Sequence, residues 1–222
     1  VLVAAAVCPH PPLLIPELAG AAAVELDELR AACASAVSAL RAAEPDVIVV
    51  VGGADLAGTY GADAAGTLAP WGVDVRIGEG EPVLPLSLSI GRWLLEREHL
   101  AAAEFHAVPS DATSQNCAAL GRRLADMAGR VAMLVMADGS ACLTEKSPGS
   151  LDPRALPFNE AVVEALACGE VPELDPARAA ELWFAGRAAL QVLAGTGSSL
   201  NGDVLYDDAP YGVGYFAVRW TE

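Results

Sequence analysis

The sequence predicts an α/β fold, and three observations predict it. Continuous apolar runs of strand length stand at Val1–Val7, Val47–Val51 and Val131–Met136. Between them lie stretches whose apolar residues recur with helical spacing. The chain has 222 residues, 54 % hydrophobic and 19 % charged, enough apolar surface for a sizeable core. Strands that are apolar on both faces belong to sheets covered by helices on both sides, the setting in which parallel sheets occur. One domain over residues 1–222 is the simplest organisation at this length.

The elements follow in order. Val1–Val7 is the first strand, and Pro9, Pro11 and Pro12 force a loop after it. From Ala21 to Ala43, residues Val24, Leu26, Leu29, Ala32, Cys33, Ala36, Val37 and Leu40 mark one helix face, with Pro45 just beyond. VIVVVGG after Asp46 is a second buried strand. Ala54 to Trp71, rich in Gly, Ala and Asp and without a period, reads as a long loop, and VDVRI as a short strand. The spacing then predicts a helix over Leu86–Leu100, a strand over Glu104–Val108, a helix over Ser114–Ala128 and a third strong strand over Val131–Met136. A polar loop follows, then helices over Pro153–Cys168 and Pro176–Ala194. The tail closes in a hairpin-like turn and a strand alternating through Val213, Tyr215, Ala217 and Arg219.

Composition excludes several functions. A net charge of -16 offers no basic surface for a phosphate backbone, so nucleic acid is not an expected partner. No apolar run approaches the ~20 residues needed to span a bilayer, and the opening VLVAAAVCPHPP has no basic n-region or cleavage signature. The expectation is a cytoplasmic protein without a membrane partner. Five cysteines (Cys8, Cys33, Cys117, Cys142, Cys168) without CxxC spacing suggest reduced thiols rather than a zinc site or disulfide framework. The apolar composition is compatible with a symmetric homodimer.

Ligands of open α/β sheets bind beyond the carboxyl ends of the strands. Four loops therefore matter: Cys8–Gly20, Gly52–Tyr60, Ala137–Gly149 and Asp207–Gly214. His10, clamped between Pro9 and Pro11, is either a ligand or base aimed at a pocket or a histidine packed on a proline turn. His99 and His106 fall at a helix end and in a strand, where surface or packing roles are expected. Asp138 and Ser140 follow the third strand directly, with Lys146, the only lysine, further along the same loop. They bind a polar ligand or build the turn. Of the adjacent Asp207 and Asp208 only one can face a pocket, and Tyr211 either stacks on a ring or covers the core. GGADLAG lacks the GxGxxG and Walker patterns, and there is no GxSxG elbow, so nucleotide binding and hydrolase chemistry are unsupported.

CPHPPLLIPELAG, VIVVVGGAD, VAMLVMADGSACLTEKSPG and AGRAALQVLAG stand in this order along most of the chain. In this the sequence resembles the LigB-like class III extradiol ring-cleavage dioxygenases and the related MEMO-like proteins. Its ending, GDVLYDDAPYGVGYF, is most similar to uncharacterised actinobacterial members. The resemblance implies a three-layer α/β/α domain with a central, mostly parallel mixed sheet. It also implies, for active members, Fe(II) held by two histidines and a carboxylate, with another histidine as acid and base. His10 matches the first ligand. The place of the second falls at Gly52, Gly53 and Ala54, that of the acid/base at Ala141, and that of the third ligand near Ala185, one helical turn after Glu181.

A mononuclear iron site needs several protein donors, and loss of an acid/base removes about 10² to 10⁴ in rate. The expectation is thus a superfamily member with a degenerate iron site and no cofactor, binding a small polar or aromatic molecule or doing metal-independent chemistry. Its catalytic candidates are His10 and Asp138, and its ligand-binding candidates Ser140, Lys146, Asp208 and Tyr211. Two alternatives share the resemblance. One is an Fe(II)-dependent extradiol dioxygenase with displaced ligands and His10 on the metal; the other is a non-catalytic, MEMO-like protein-interaction module.

Overall fold

The computed structural model describes every residue, Val1–Glu222. In chain order its elements are β1 (Leu2–Cys8), α1 (Pro16–Ala19), α2 (Asp27–Ala42), β2 (Val47–Ala54), β3 (Gly58–Gly61), β4 (Gly66–Thr67), β5 (Arg76–Ile77) and α3 (Leu86–Arg97). There follow β6 (Glu104–Pro109), α4 (Ser114–Ala125), β7 (Val131–Met136), α5 (Ala155–Ala167), α6 (Pro176–Glu181), α7 (Arg187–Gly195), β8 (Asn201–Asp208) and β9 (Tyr215–Thr221).

Seven strands form one sheet in the order β3-β6-β2-β7-β1-β9-β8. The inner four, β6-β2-β7-β1, run parallel, and β3, β9 and β8 are antiparallel additions at the two sides. Side chains alternate across the sheet, so each central strand feeds two cores. Ala4, Ala6, Cys8, Val50, Leu134 and Met136 face α2 and α3. Ala5, Val7, Val49, Val51, Met133 and Val135 face α4, α5 and α7. This double burial makes the strands apolar throughout, and the result is the expected three-layer α/β/α arrangement around a mixed sheet.

Three regions differ from the sequence reading. The helix expected from Ala21 starts only at Asp27, because Gly20–Leu26 winds as a 3-10 segment. Part of the expected long loop is strand: Gly58–Gly61 pairs with β6 as the sheet's edge, and Gly66–Thr67 pairs with Arg76–Ile77. Short, Gly-rich edge strands carry too little apolar pattern to show in sequence.

The third difference positions the site. The single helix expected over Pro176–Ala194 is two, broken across Leu182–Gly186. Asp175 caps the first, its carboxylate accepting from the Arg178 N–H at 2.7 Å. That helix ends in a Schellman arrangement, with the Phe184 N–H donating to the Ala179 carbonyl at 2.8 Å and the Trp183 N–H to Ala180 at 3.2 Å. Trp183 takes the left-handed position (φ 50°) that glycine usually fills, at a cost of about 1–2 kcal/mol. The loop after β7 holds the break in place: Ser140 bridges Phe184, and its hydroxyl donates to the Leu182 carbonyl.

Candidate functional site

The carboxyl ends of β1, β2, β6 and β7 share one edge. Cys8 pairs with Met136 and Met136 with Gly52, while Gly53 pairs with Val108. The loops leaving that edge converge with the α6–α7 break around a cavity of about 740 Å³. Its wall includes His10, Ser110, Asp138, Trp183, Arg187 and Tyr215 among mostly apolar or small neighbours. This is where the parallel-sheet rule places a ligand.

His10 and Asp138 each lie two residues beyond paired positions of β1 and β7, which brings them together. The Asp138 carboxylate accepts the His10 backbone N–H at 2.7 Å. Its Oδ1 stands 3.6 Å from His10 Nδ1, too far for a hydrogen bond, and that nitrogen is buried with no partner. Asp138 therefore fixes the loop, while the imidazole keeps an unused nitrogen beside the cavity. Tyr215, on β9, is buried, and burial first and the Asp138 carboxylate second push its phenol above the ordinary value, so it stays protonated.

The remaining sequence candidates are not brought to this cavity. Ser140 is fully buried; its hydroxyl also accepts the Cys142 N–H at 3.2 Å, so it holds the helix break rather than a ligand. Lys146 and Tyr211 line a separate surface hollow with Thr144, Glu145, Ala209, Pro210 and Gly212. The Tyr211 hydroxyl donates to Glu25 at 2.8 Å. Asp208 is exposed, and its carboxylate accepts the Ala209 N–H at 2.7 Å, the turn-building role that Asp fills through its own backbone. Glu181 points elsewhere too, into an ion pair with Arg154 at 2.8 Å.

Three of the four places at which the resemblance puts iron-site side chains border the one cavity: His10, Ala141 and Ala185. The fourth, Gly52, Gly53 and Ala54, is not on its wall: a Cβ on Gly53 would lie 3.4 Å from the Ala185 carbonyl oxygen, and one on Gly52 would meet Ser87 Oγ at 2.5 Å. Fe(II) in such a centre needs three protein donors with open positions left over. His10 and Asp138 are donor side chains there, while Gly52, Gly53, Ala54, Ala141 and Ala185 at the other places carry none, so the residues at those places do not make up that set.

Sequence reasoning missed Arg187, Tyr215 and Trp183. Arg187 begins α7 and is 2 % exposed, an arginine in the otherwise apolar and small run FAGRAAL. That isolation was the available signal. Tyr215 looked like one more member of an alternating strand, and Trp183 like the middle of a helix.

No protein-family profile matches the chain, and no curated protein does. Among solved structures, the crystal structure of uncharacterized protein JW3007 from Escherichia coli K12 is similar, with a TM-score of 0.60 over 98 % of this chain and 99 % of that one. The two are 17 % identical, so the likeness is one of fold. No helix is long and apolar enough to cross a membrane.

Proposed function

We propose that the chain is a LigB-like superfamily member whose iron centre has been dismantled and whose cavity binds a small polar or aromatic molecule without a metal. One observation carries the reading: His10 and Asp138 stand on the wall of a cavity of about 740 Å³, and the places of the other iron-site side chains hold Ala141 and Ala185 on that wall and Gly52, Gly53 and Ala54 off it. The apolar wall takes the body of such a ligand, and the His10 ring, the Asp138 carboxylate and the Tyr215 phenol supply polar contacts. A neutral imidazole carries one accepting and one donating nitrogen, so acid–base chemistry on the bound molecule needs no further cofactor. Five free thiols fit a reducing, cytoplasmic setting.

The test uses protein purified without chelators or an affinity tag. Elemental analysis is expected to find iron far below one equivalent, and anaerobic reconstitution with Fe(II) to give no catechol cleavage. Catechol itself should still shift the NMR resonances of Tyr215 and Trp183, and His10→Ala should weaken that binding. Stoichiometric iron with ring cleavage that disappears in His10→Ala would restore the dioxygenase and overturn this reading.

A further inference from the structure

Three acceptor groups on the wall of the main cavity have no partner within the chain. Val7 pairs with Val135 on β7 and with Val218 on β9, and three residues further the same register brings His10 level with Asp138 on one side and Tyr215 on the other. Cys8, Met136 and Tyr215 belong to the core on the α2 and α3 face of the sheet, and alternation puts His10 and Asp138, two residues on, at that face as well. The loops then close on each other: the Gly139 N–H donates to the Gly214 carbonyl at 2.7 Å and the Gly214 N–H to the Ser140 carbonyl at 2.9 Å, which sets Asp138 beside Tyr215. All three residues stand on the cavity wall.

Tyr215 is 5 % exposed, and its hydroxyl makes no hydrogen bond within the chain while staying open to the cavity. Asp138 uses Oδ1 on the His10 backbone N–H, and its Oδ2 accepts nothing. The same Oδ1, 3.6 Å from His10 Nδ1, favours the ring proton on that nitrogen, which leaves Nε2 to accept. Nδ1 is closed off from the cavity and Nε2 is not. The charge a ligand can reach on this wall is negative, from Asp138 and the exposed Asp111. Arg187, the only arginine or lysine of the wall, has Nε and Nη1 shut away from solvent and Nη2 on the Ser110 and Ala112 carbonyls.

We infer that the cavity binds a small primary amine as its ammonium, with Asp138 Oδ2, His10 Nε2 and Tyr215 Oη accepting its three N–H groups. The inference rests on the proposed small-molecule reading and adds the ligand's class. An ammonium carries three donors and no acceptor, which matches this set, whereas a hydroxyl brings one donor. A carboxylate brings none, and it meets Asp111 and Asp138 as like charges. The alanines, prolines and Trp183 of the wall take an apolar body.

The experiment compares benzylamine, a cation at neutral pH, with benzyl alcohol, a neutral counterpart of the same shape, and with benzyltrimethylammonium, a cation without N–H groups. Binding is followed by NMR shifts of Trp183 and other cavity residues. The wild-type chain is expected to bind benzylamine at least about tenfold more tightly than either comparator, a difference in the range of a charge-assisted hydrogen bond. Asp138→Asn should erase the preference over benzyl alcohol while alcohol binding persists, and Tyr215→Phe should weaken benzylamine binding about threefold or more. Benzylamine binding no tighter than benzyl alcohol in the wild type, or a preference that survives Asp138→Asn, overturns the inference and leaves the small-molecule reading standing. Benzyltrimethylammonium binding as tightly as benzylamine, or a Tyr215→Phe chain with wild-type affinity for benzylamine, overturns the assignment to three N–H groups. If catechol shifts cavity resonances and no benzyl compound does, the inference alone falls; if none of the four does, both readings fall together. The wild-type comparison decides the question even if a variant fails to fold.

Discussion

At the carboxyl ends of β1 and β7 the chain carries His10 and Asp138 beside an open cavity, whereas at the end of β2, the next strand over, it carries Gly52 and Gly53. Both halves are loops leaving the same edge of the same sheet, yet one presents polar groups to open space and the other is packed against its neighbours. A Cβ on Gly52 would meet Ser87 Oγ at 2.5 Å and Ser87 Cβ at 2.8 Å. The Ser87 hydroxyl also donates to the Gly53 carbonyl at 2.7 Å, so this helix–strand contact is tied by a hydrogen bond. The β2 side of this edge is thus closed by packing. On the open side α7 starts, with the Gly186 N–H donating to the Asp138 carbonyl at 2.8 Å.

That seating predicts the largest effect. A Cβ on Gly186 would lie 2.6 Å from Ala137 Cβ and 2.8 Å from the Asp138 carbonyl oxygen, so backbone has to move. Gly186→Ala is expected to cost about 3 kcal/mol, the upper range for forcing atoms into a packed interior. Urea unfolding measures it, and a midpoint unchanged from wild type would mean that the open half is not rigidly seated on α7.

The closed half gives a smaller, internal contrast. Gly52→Ala collides with Ser87 and is expected to lose about 2 kcal/mol. Gly53→Ala has its nearest neighbour at 3.4 Å and should stay within about 0.5 kcal/mol of wild type. Similar losses at the two positions would remove the distinction between a packed Gly52 and a roomy Gly53.

What the sequence revealed of these halves follows from the kind of signal each produces. The inner strands were legible because burial on both faces leaves no polar residue in VAAAV, VIVVV or VAMLVM. The loops of the site were legible from strand direction alone, since parallel strands send their carboxyl ends to one edge. His10 and Asp138 were found because each directly follows a buried strand, and the fold then sets them at matching positions of a parallel pair. The helix break at Leu182–Gly186 was not legible, because the left-handed residue that ends α6 is Trp183 and not glycine, and because apolar spacing continues across it. Missing that break hid Arg187, whose sequence position looked like the polar face of one long helix. Ser140, Lys146, Asp208 and Tyr211 lay in the expected loops, but loop membership does not decide direction. Turn hydrogen bonds and a contact with Glu25 took three of them, and Lys146 faces a different hollow.

Each half also holds one histidine, and this contrast yields the smallest effect. His10 lies in the open half with an unused nitrogen, while His106 sits inside β6, one strand beyond the closed glycines, and is 4 % exposed. Its Nδ1 lies 3.4 Å from the Thr59 hydroxyl, and its Nε2 3.0 Å from Glu104 Oε2 without the alignment of a hydrogen bond. Burial lowers its pKa, against the pull of the Glu104 carboxylate, which raises it; Arg123 adds to the lowering. The folded chain thus prefers the neutral ring, whereas an unfolded chain protonates a histidine near its ordinary pKa of about 6.5. Below that value the unfolded state binds a proton that the folded state resists, so His106 contributes stability above about pH 6.5 that is lost as pH falls toward the lowered folded pKa. His106→Gln does not titrate there. Its unfolding free energy, measured in urea between about pH 7.5 and pH 5, is expected to fall less steeply than that of the wild type. Parallel slopes for the two proteins would mean that the closed half accepts a charged imidazole as readily as water does.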